Sequence, residues 1–172
     1  MHVGTQLEFL AGVNGKKQQS PKALSWRESD FTGLSGDDLY AILAARVAVF
    51  VVEQDCPYPE LDGLDQSAHH LWATDTAGRV AAYARITAPG TRFQEPSIGR
   101  VLTSIAHRGS GLGRVLMERA IDFAERLYPA AELRISAQQH LERFYASLDF
   151  RFVHGPYPED GIPHVEMLRS KQ

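Results

Sequence analysis

The chain has a single cysteine, Cys56, in 172 residues. An internal disulfide is excluded, so the fold must rest on a buried core, which this length supports. No apolar run reaches the roughly 20 residues that a membrane-spanning helix needs. The formal net charge is only -3, which excludes the basic footprint that nucleic acid or anionic lipid would select. Metal-ligand spacings are missing too: there is no His-x-x-x-His and no Cys-x-x-Cys. His69 and His70 are adjacent on a candidate strand and point to opposite faces, so they do not share a metal with His164. Cys56 has no ordered Cys-His-Asp arrangement around it and reads as a partly buried thiol. Lys and Arg are absent from residues 47–78, a stretch that holds Glu53, Asp55, Glu60, Asp62, Asp65 and Asp75.

What the chain does have is concentrated between Ile98 and Met117. Residues 98–103 form a β-like run. A turn of small residues follows: Arg108-Gly109-Ser110-Gly111-Leu112-Gly113. Leu112, Val115, Leu116, Ala120, Phe123, Ala124 and Leu127 then recur at helical spacing. A strand, a glycine loop and a helix start make an anion site. The first N–H groups of a helix lack internal partners, the dipole is positive there, and glycine lets a phosphate approach. A phosphate-bearing cofactor is therefore expected at Arg108, Gly109, Ser110, Gly111, Leu112, Gly113 and Arg114. Gly113 is followed by Arg114-Val115, not by Lys-Ser or Lys-Thr, which argues against a P-loop. The place of a third dinucleotide-fingerprint glycine is held by Arg114, which argues against a Rossmann loop.

The remaining elements follow from pattern. Residues 1–23 are polar and glycine-bearing and are expected to be a flexible extension. Their basic pair follows the short apolar segment instead of preceding it, so they do not read as a secretory signal, and a cytoplasmic location is the default. Residues 24–172 form one domain. Residues 24–27 are a short strand. Ser35 caps a helix with Asp38 in a capping box, and an apolar stripe runs from Leu39 to Phe50, ending near Glu53. Residues 71–74 and 80–86 make a hairpin. Residues 98–103, 133–137, 150–153 and 165–168 are further strands. Helices are expected from the glycine loop to Tyr128 and over residues 139–148, with a loop at 155–163. The order predicts an α/β fold with one mixed sheet and helices on both faces.

Arg108-x-x-Gly111-x-Gly113 resembles the pyrophosphate loop of the GNAT acetyltransferases, which bind acetyl-CoA. The run from Leu133 to Gln138, then Phe144-Tyr145, then Leu148-Asp149-Phe150 extends that resemblance, with Asp149 where many members carry glycine and Gln138 where many carry Asn. Residues 46–54, Asp62-Gly63-Leu64-Asp65 and residues 159–164 are similar to the ElaA-like branch. The resemblance covers residues 24–170. It implies the GNAT acyl-CoA N-acyltransferase fold, a largely antiparallel sheet with one splayed parallel strand pair. Acetyl-CoA is then the co-substrate, with no metal. Its pantetheine arm pairs with Val101 and Thr103, a backbone N–H at Val101 or Leu102 polarises the thioester carbonyl, and Gln138 lies beside the arm.

The implied reaction is N-acetyl transfer to a primary amine by direct attack. Tyr145 is the general-acid candidate, because a phenol can protonate a departing thiolate; outside this pattern it is a half-buried aromatic. Glu53 and His164 are base candidates, or else hold a loop in place. The residues of 47–78 together with Glu159 and Asp160 suggest an acidic mouth for a cationic acceptor, against a solvated acidic loop. The expected partner is a small-molecule or peptide amine, with a homodimer left open and neither nucleic acid nor membrane involved. A non-catalytic acyl-CoA-binding sensor domain is the alternative, and a nucleotide-binding protein of another fold is a more distant one.

Overall fold

A computed structural model describes residues 23–171. The extension expected at 1–23 lies, apart from residue 23, outside the described residues. Seven strands form one sheet: β1 (Ser25–Asp30), β2 (His69–Thr74), β3 (Val80–Thr87), β4 (Ser97–Thr103), β5 (Leu133–Gln138), β6 (Phe150–Glu159) and β7 (Ile162–Arg169), in the order β1-β2-β3-β4-β5-β7-β6. All neighbours are antiparallel except β4 and β5. Helices α1 (Gly36–Arg46), α2 (Leu112–Leu127) and α3 (Glu142–Ala146) complete it. Among the described residues no helix is long and apolar enough to cross a membrane.

Alternation in β2 shows how both faces are covered. His69 packs edge-on against Phe123 of α2, ring centroids 5.9 Å apart, whereas His70 bonds Tyr83 on the other face. The two histidines point apart, as period-2 geometry requires. His70 Nε2 donates to the Asp65 carbonyl at 3.1 Å, so its Nδ1 accepts from the Tyr83 hydroxyl at 2.8 Å. Burial lowers its pKa, and it is a structural group. β3 is buried along its whole length, since helices lie above and below it. On α2 the inward residues include Leu112, Leu116, Met117, Ala120, Ile121, Phe123 and Ala124. Val115, expected to face inward, is 41% exposed.

Ser35 caps α1 as expected: its Oγ accepts from the Asp38 N–H at 3.1 Å and donates to Asp38 Oδ2 at 2.7 Å. Ser35→Ala is expected to cost about 1 kcal/mol in chemical denaturation. Beyond Arg46 the helix widens into π turns at Val47–Glu53. That shift puts Val49 inward and leaves Val47 39% exposed, contrary to the expected stripe.

Two further expectations fail. The loop at 155–163 is largely strand: β6 and β7 form a long hairpin turning at Asp160-Gly161. β6 is the sheet edge, where proline is tolerated, so Pro156 and Pro158 do not stop it. Gly155 is required there: it has φ of +120°, and a Cβ would lie 3.0 Å from the His164 carbonyl oxygen. The helix expected over 139–148 is a 3-10 turn at Gln139–Leu141 followed by the five-residue α3. Asp149 ends that segment with φ of +66°, the left-handed turn that a glycine would otherwise supply.

Candidate active site

β4 and β5 share one rung, Ser97 with Arg134, beside an Arg134 N–H to Pro96 carbonyl bond of 3.0 Å. Past that rung the strands part. β4 also carries a bulge: Tyr83 faces Leu102 and Arg85 faces Gly99, so Ala84 alone opposes Arg100 and Val101. Arg100 takes φ of +52° in it. A bulge bends its strand and leaves backbone groups off the ladder. The splay opens into a pocket of about 460 Å³. Its walls include Gly99, Arg100 and Val101 of β4, Ser136, Ala137 and Gln138 of β5, and Tyr145 of α3.

At the open end of the splay lies the glycine loop. Gly111 is the N-cap of α2 with φ of +81°, and a Cβ there would meet nothing within 4 Å. The space it leaves open is where a ligand can come close. Among the described residues nothing accepts from the backbone N–H groups of residues 109–113; the helix ladder begins with Arg114 and Val115 donating to the Gly111 carbonyl. These five donors at a positive helix end fit a diphosphate. Ser110 Oγ instead donates to the His107 carbonyl at 2.9 Å. Arg114 is exposed and bonds the Ser147 hydroxyl. Leu112 and Gly113 are buried under the loop.

Arg108 braces this loop. Its Nε donates to the Thr103 carbonyl at 3.1 Å, and its two Nη atoms engage both carboxylate oxygens of Glu53, one at 2.8 Å. Of the two readings of Glu53, base or loop brace, the geometry supports the second. A carboxylate held at both oxygens by a guanidinium is a brace, not a free proton acceptor.

Tyr145 is 6% exposed. Its ring stands edge-on to Phe144 and Phe150 at centroid distances of 5.1 and 6.1 Å. Burial alone pushes its phenol well above the ordinary value of 10, so it stays protonated at neutral pH. His164 reaches the opposite wall. Its Nδ1 lies 2.9 Å from the Ile162 carbonyl oxygen, which only an N–H can satisfy, so the neutral ring carries its lone pair on Nε2. The structure thus gathers Val101, Gln138, Tyr145 and His164 around one pocket and sends Glu53 elsewhere.

The acidic mouth is corrected most strongly. Glu60, Asp62 and Asp65 are met by three arginines from distant parts of the chain. Arg46, 0% exposed, bonds Glu60 at 2.6 Å and Asp65 at 2.7 Å. Arg85 bonds Asp62 and Asp65 at 2.5 and 2.9 Å. Arg100 of the bulge bonds Glu60 and Asp62 at 2.8 and 3.1 Å. Asp75 pairs with Arg79 at 2.8 Å. Burial opposes ionisation of Asp62 and Asp65, but the arginine bonds outweigh it and hold both carboxyls below their ordinary range. The absence of Lys and Arg along 47–78 therefore does not make an acidic surface, and the cationic acceptor loses that support.

Sequence reasoning named Glu159 only as part of that mouth. Its Oε2 accepts from Ser136 Oγ at 2.8 Å and its Oε1 from Arg92, a residue of the β3–β4 loop. Burial pushes its carboxyl up, yet Arg92 and Ser136 outweigh that and keep it ionised. Cys56 Sγ donates to the Asp160 carbonyl at 3.6 Å, tying the hairpin tip to the segment after α1; burial raises its thiol.

Residues 40–171 match the acetyltransferase (GNAT) domain family. A UPF0039 protein of Synechocystis is 45% identical over 145 residues, which are 84% of this chain and 94% of that protein. Protein ElaA of Escherichia coli is 40% identical over 151 residues, which are 86% of this chain and 97% of that protein. Among solved structures, an acyl-CoA N-acyltransferase from Pseudomonas aeruginosa superposes with a TM-score of 0.83 at 45% identity, covering 86% of this chain and 100% of that one. The E. coli ElaA crystal structure superposes with a TM-score of 0.81 at 37% identity and the same coverage. The split strand pair, the glycine loop and these likenesses agree: the chain belongs to the GNAT acetyltransferase family, in its ElaA-like branch.

Proposed function

We propose that the protein moves the acetyl group of acetyl-CoA to a primary amine by direct attack. One observation carries this: a parallel strand pair that parts after a single rung, leading to five N–H groups, at residues 109–113, that have no acceptor among the described residues. The loop donors at residues 109–113 bind the diphosphate. The pantetheine arm lies along β4 at Val101 and Thr103 as an added strand would, with Gln138 on the facing strand. Acetyl-CoA supplies the activated acyl carbon. A bulge N–H at Val101 or Leu102 stabilises the oxygen charge that develops on attack.

The proton balance falls to two side chains. As the new C–N bond forms, His164 Nε2 takes a proton from the amine nitrogen, directly or through water. As the C–S bond breaks, the Tyr145 hydroxyl gives its proton to sulfur. A thiol is more acidic than this buried phenol, so the transfer works only if concerted with bond breaking or relayed, and the phenol recovers its proton from solvent.

The test has two arms, calorimetric titration of acetyl-CoA and free-thiol release across amine classes. Saturable binding plus amine-dependent thiol release is the expected result. Binding without release for any amine would leave only an acyl-CoA-binding domain. No binding would overturn the assignment altogether.

A further inference from the structure

The acceptor end of the pocket carries paired charges, with the exposed Asp160 beside them, and this speaks to substrate class. Behind one wall Arg46, Arg85 and Arg100 meet Glu60, Asp62 and Asp65, three charges of each sign, of which Arg100 and Asp62 line the pocket. The opposite wall contributes Arg92 and Glu159, a salt bridge whose side chains are each 31% exposed and line the pocket. This pair reaches the closed end of the splay: Glu159 bonds Ser136, two residues past the one rung that joins β5 to β4. An extended arm entering from the glycine loop ends there, so the acyl group and its acceptor meet beside Arg92 and Glu159.

Resting on the transferase reading above, we propose that the acceptor is a zwitterion of the amino-acid class, an amine with a carboxylate close by, recognised by Arg92 and Glu159. A simple cation entering this site would face Glu159 already neutralised by Arg92 and would leave the guanidinium unpaired on displacing it. A zwitterion replaces the one protein pair with two, its ammonium against Glu159 and its carboxylate against Arg92. The Arg92–Glu159 pair and its ligand still sum to zero charge, and the planar guanidinium suits a carboxylate fork. Loss of one ammonium proton to solvent frees the nitrogen lone pair while the carboxylate stays anchored, and His164 takes the second proton as the C–N bond forms.

The experiment compares amino acids with their own decarboxylated amines as acceptors in the free-thiol assay. The amino acid is expected to have the higher kcat/KM by about tenfold or more, the low end for bonds to a charged group. Arg92→Gln is expected to bring the ratio close to one, mainly through KM for the amino acid, and Arg92→Lys to restore part of it. A preference for the decarboxylated amine, or an unchanged ratio in Arg92→Gln, overturns the zwitterion assignment while leaving the transferase reading in place. Acetyl-CoA binding with no thiol release on either series overturns the transferase reading, and this one with it.

Discussion

Tyr145→Phe is expected to lower kcat by about 10²–10⁴-fold with little change in acetyl-CoA affinity. The ring is fixed by Phe144, Phe150 and the helix that carries it, so removing one hydroxyl leaves the packing intact. What disappears is a proton donor. The Tyr145 hydroxyl makes no hydrogen bond to another described residue, and burial keeps its phenol protonated far above neutral pH. Without it the thiolate must leave unprotonated or draw a proton from solvent. The check is steady-state kinetics with a saturating amine, paired with calorimetry for the cofactor. Full activity in the variant would remove Tyr145 as the acid, whereas lost cofactor affinity would mark it as a packing residue only.

The second large effect concerns stability. Arg46→Ala is expected to destabilise the protein by about 3–5 kcal/mol, because it leaves Glu60 and Asp65 as buried carboxylates short of a partner. Arg46 has no exposed surface, and its charge is shared between two carboxylates and the Glu60 carbonyl. The pH dependence follows from the depressed carboxyls. Asp62 and Asp65 titrate lower in the folded chain than the usual unfolded value of about 3.9. Their contribution is therefore complete above about pH 4 and drains away as acid carries the pH down towards their folded values. In Arg46→Ala the Asp65 carboxyl should rise, so unfolding begins at a less acid pH. Urea melts of both proteins at several pH values measure this. Equal midpoints would show that the remaining arginines suffice.

The sheet strands and α2 were legible because periodicity is a local property, and so was the glycine loop, whose residues are contiguous. The failures share one cause, that partners separated in sequence leave no local mark. Residues 47–78 looked acidic because Arg46, Arg85 and Arg100 lie outside that window. From sequence Glu53 stays open between base and loop brace, because its partner, Arg108, is 55 positions away. The 155–163 segment looked like a loop because Gly155, Pro156, Pro158, Gly161 and Pro163 punctuate it, yet pairing with β7 supplies the ladder that local propensity would refuse. Arg92 carried no signal at all, since a lone arginine between turns is ordinary until a hairpin tip arrives beside it.

The sharing of Arg100 between the β4 bulge and the arginine–carboxylate lattice has a consequence for how relatives diverge and how the enzyme would be engineered. Swapping charges on that side would disturb the tertiary scaffold along with the chemistry. Substrate range is therefore freest to drift on the other side, at Thr91, Arg92 and Phe93 and at the tip of the β6–β7 hairpin. Directed-evolution libraries aimed at new acceptors belong there.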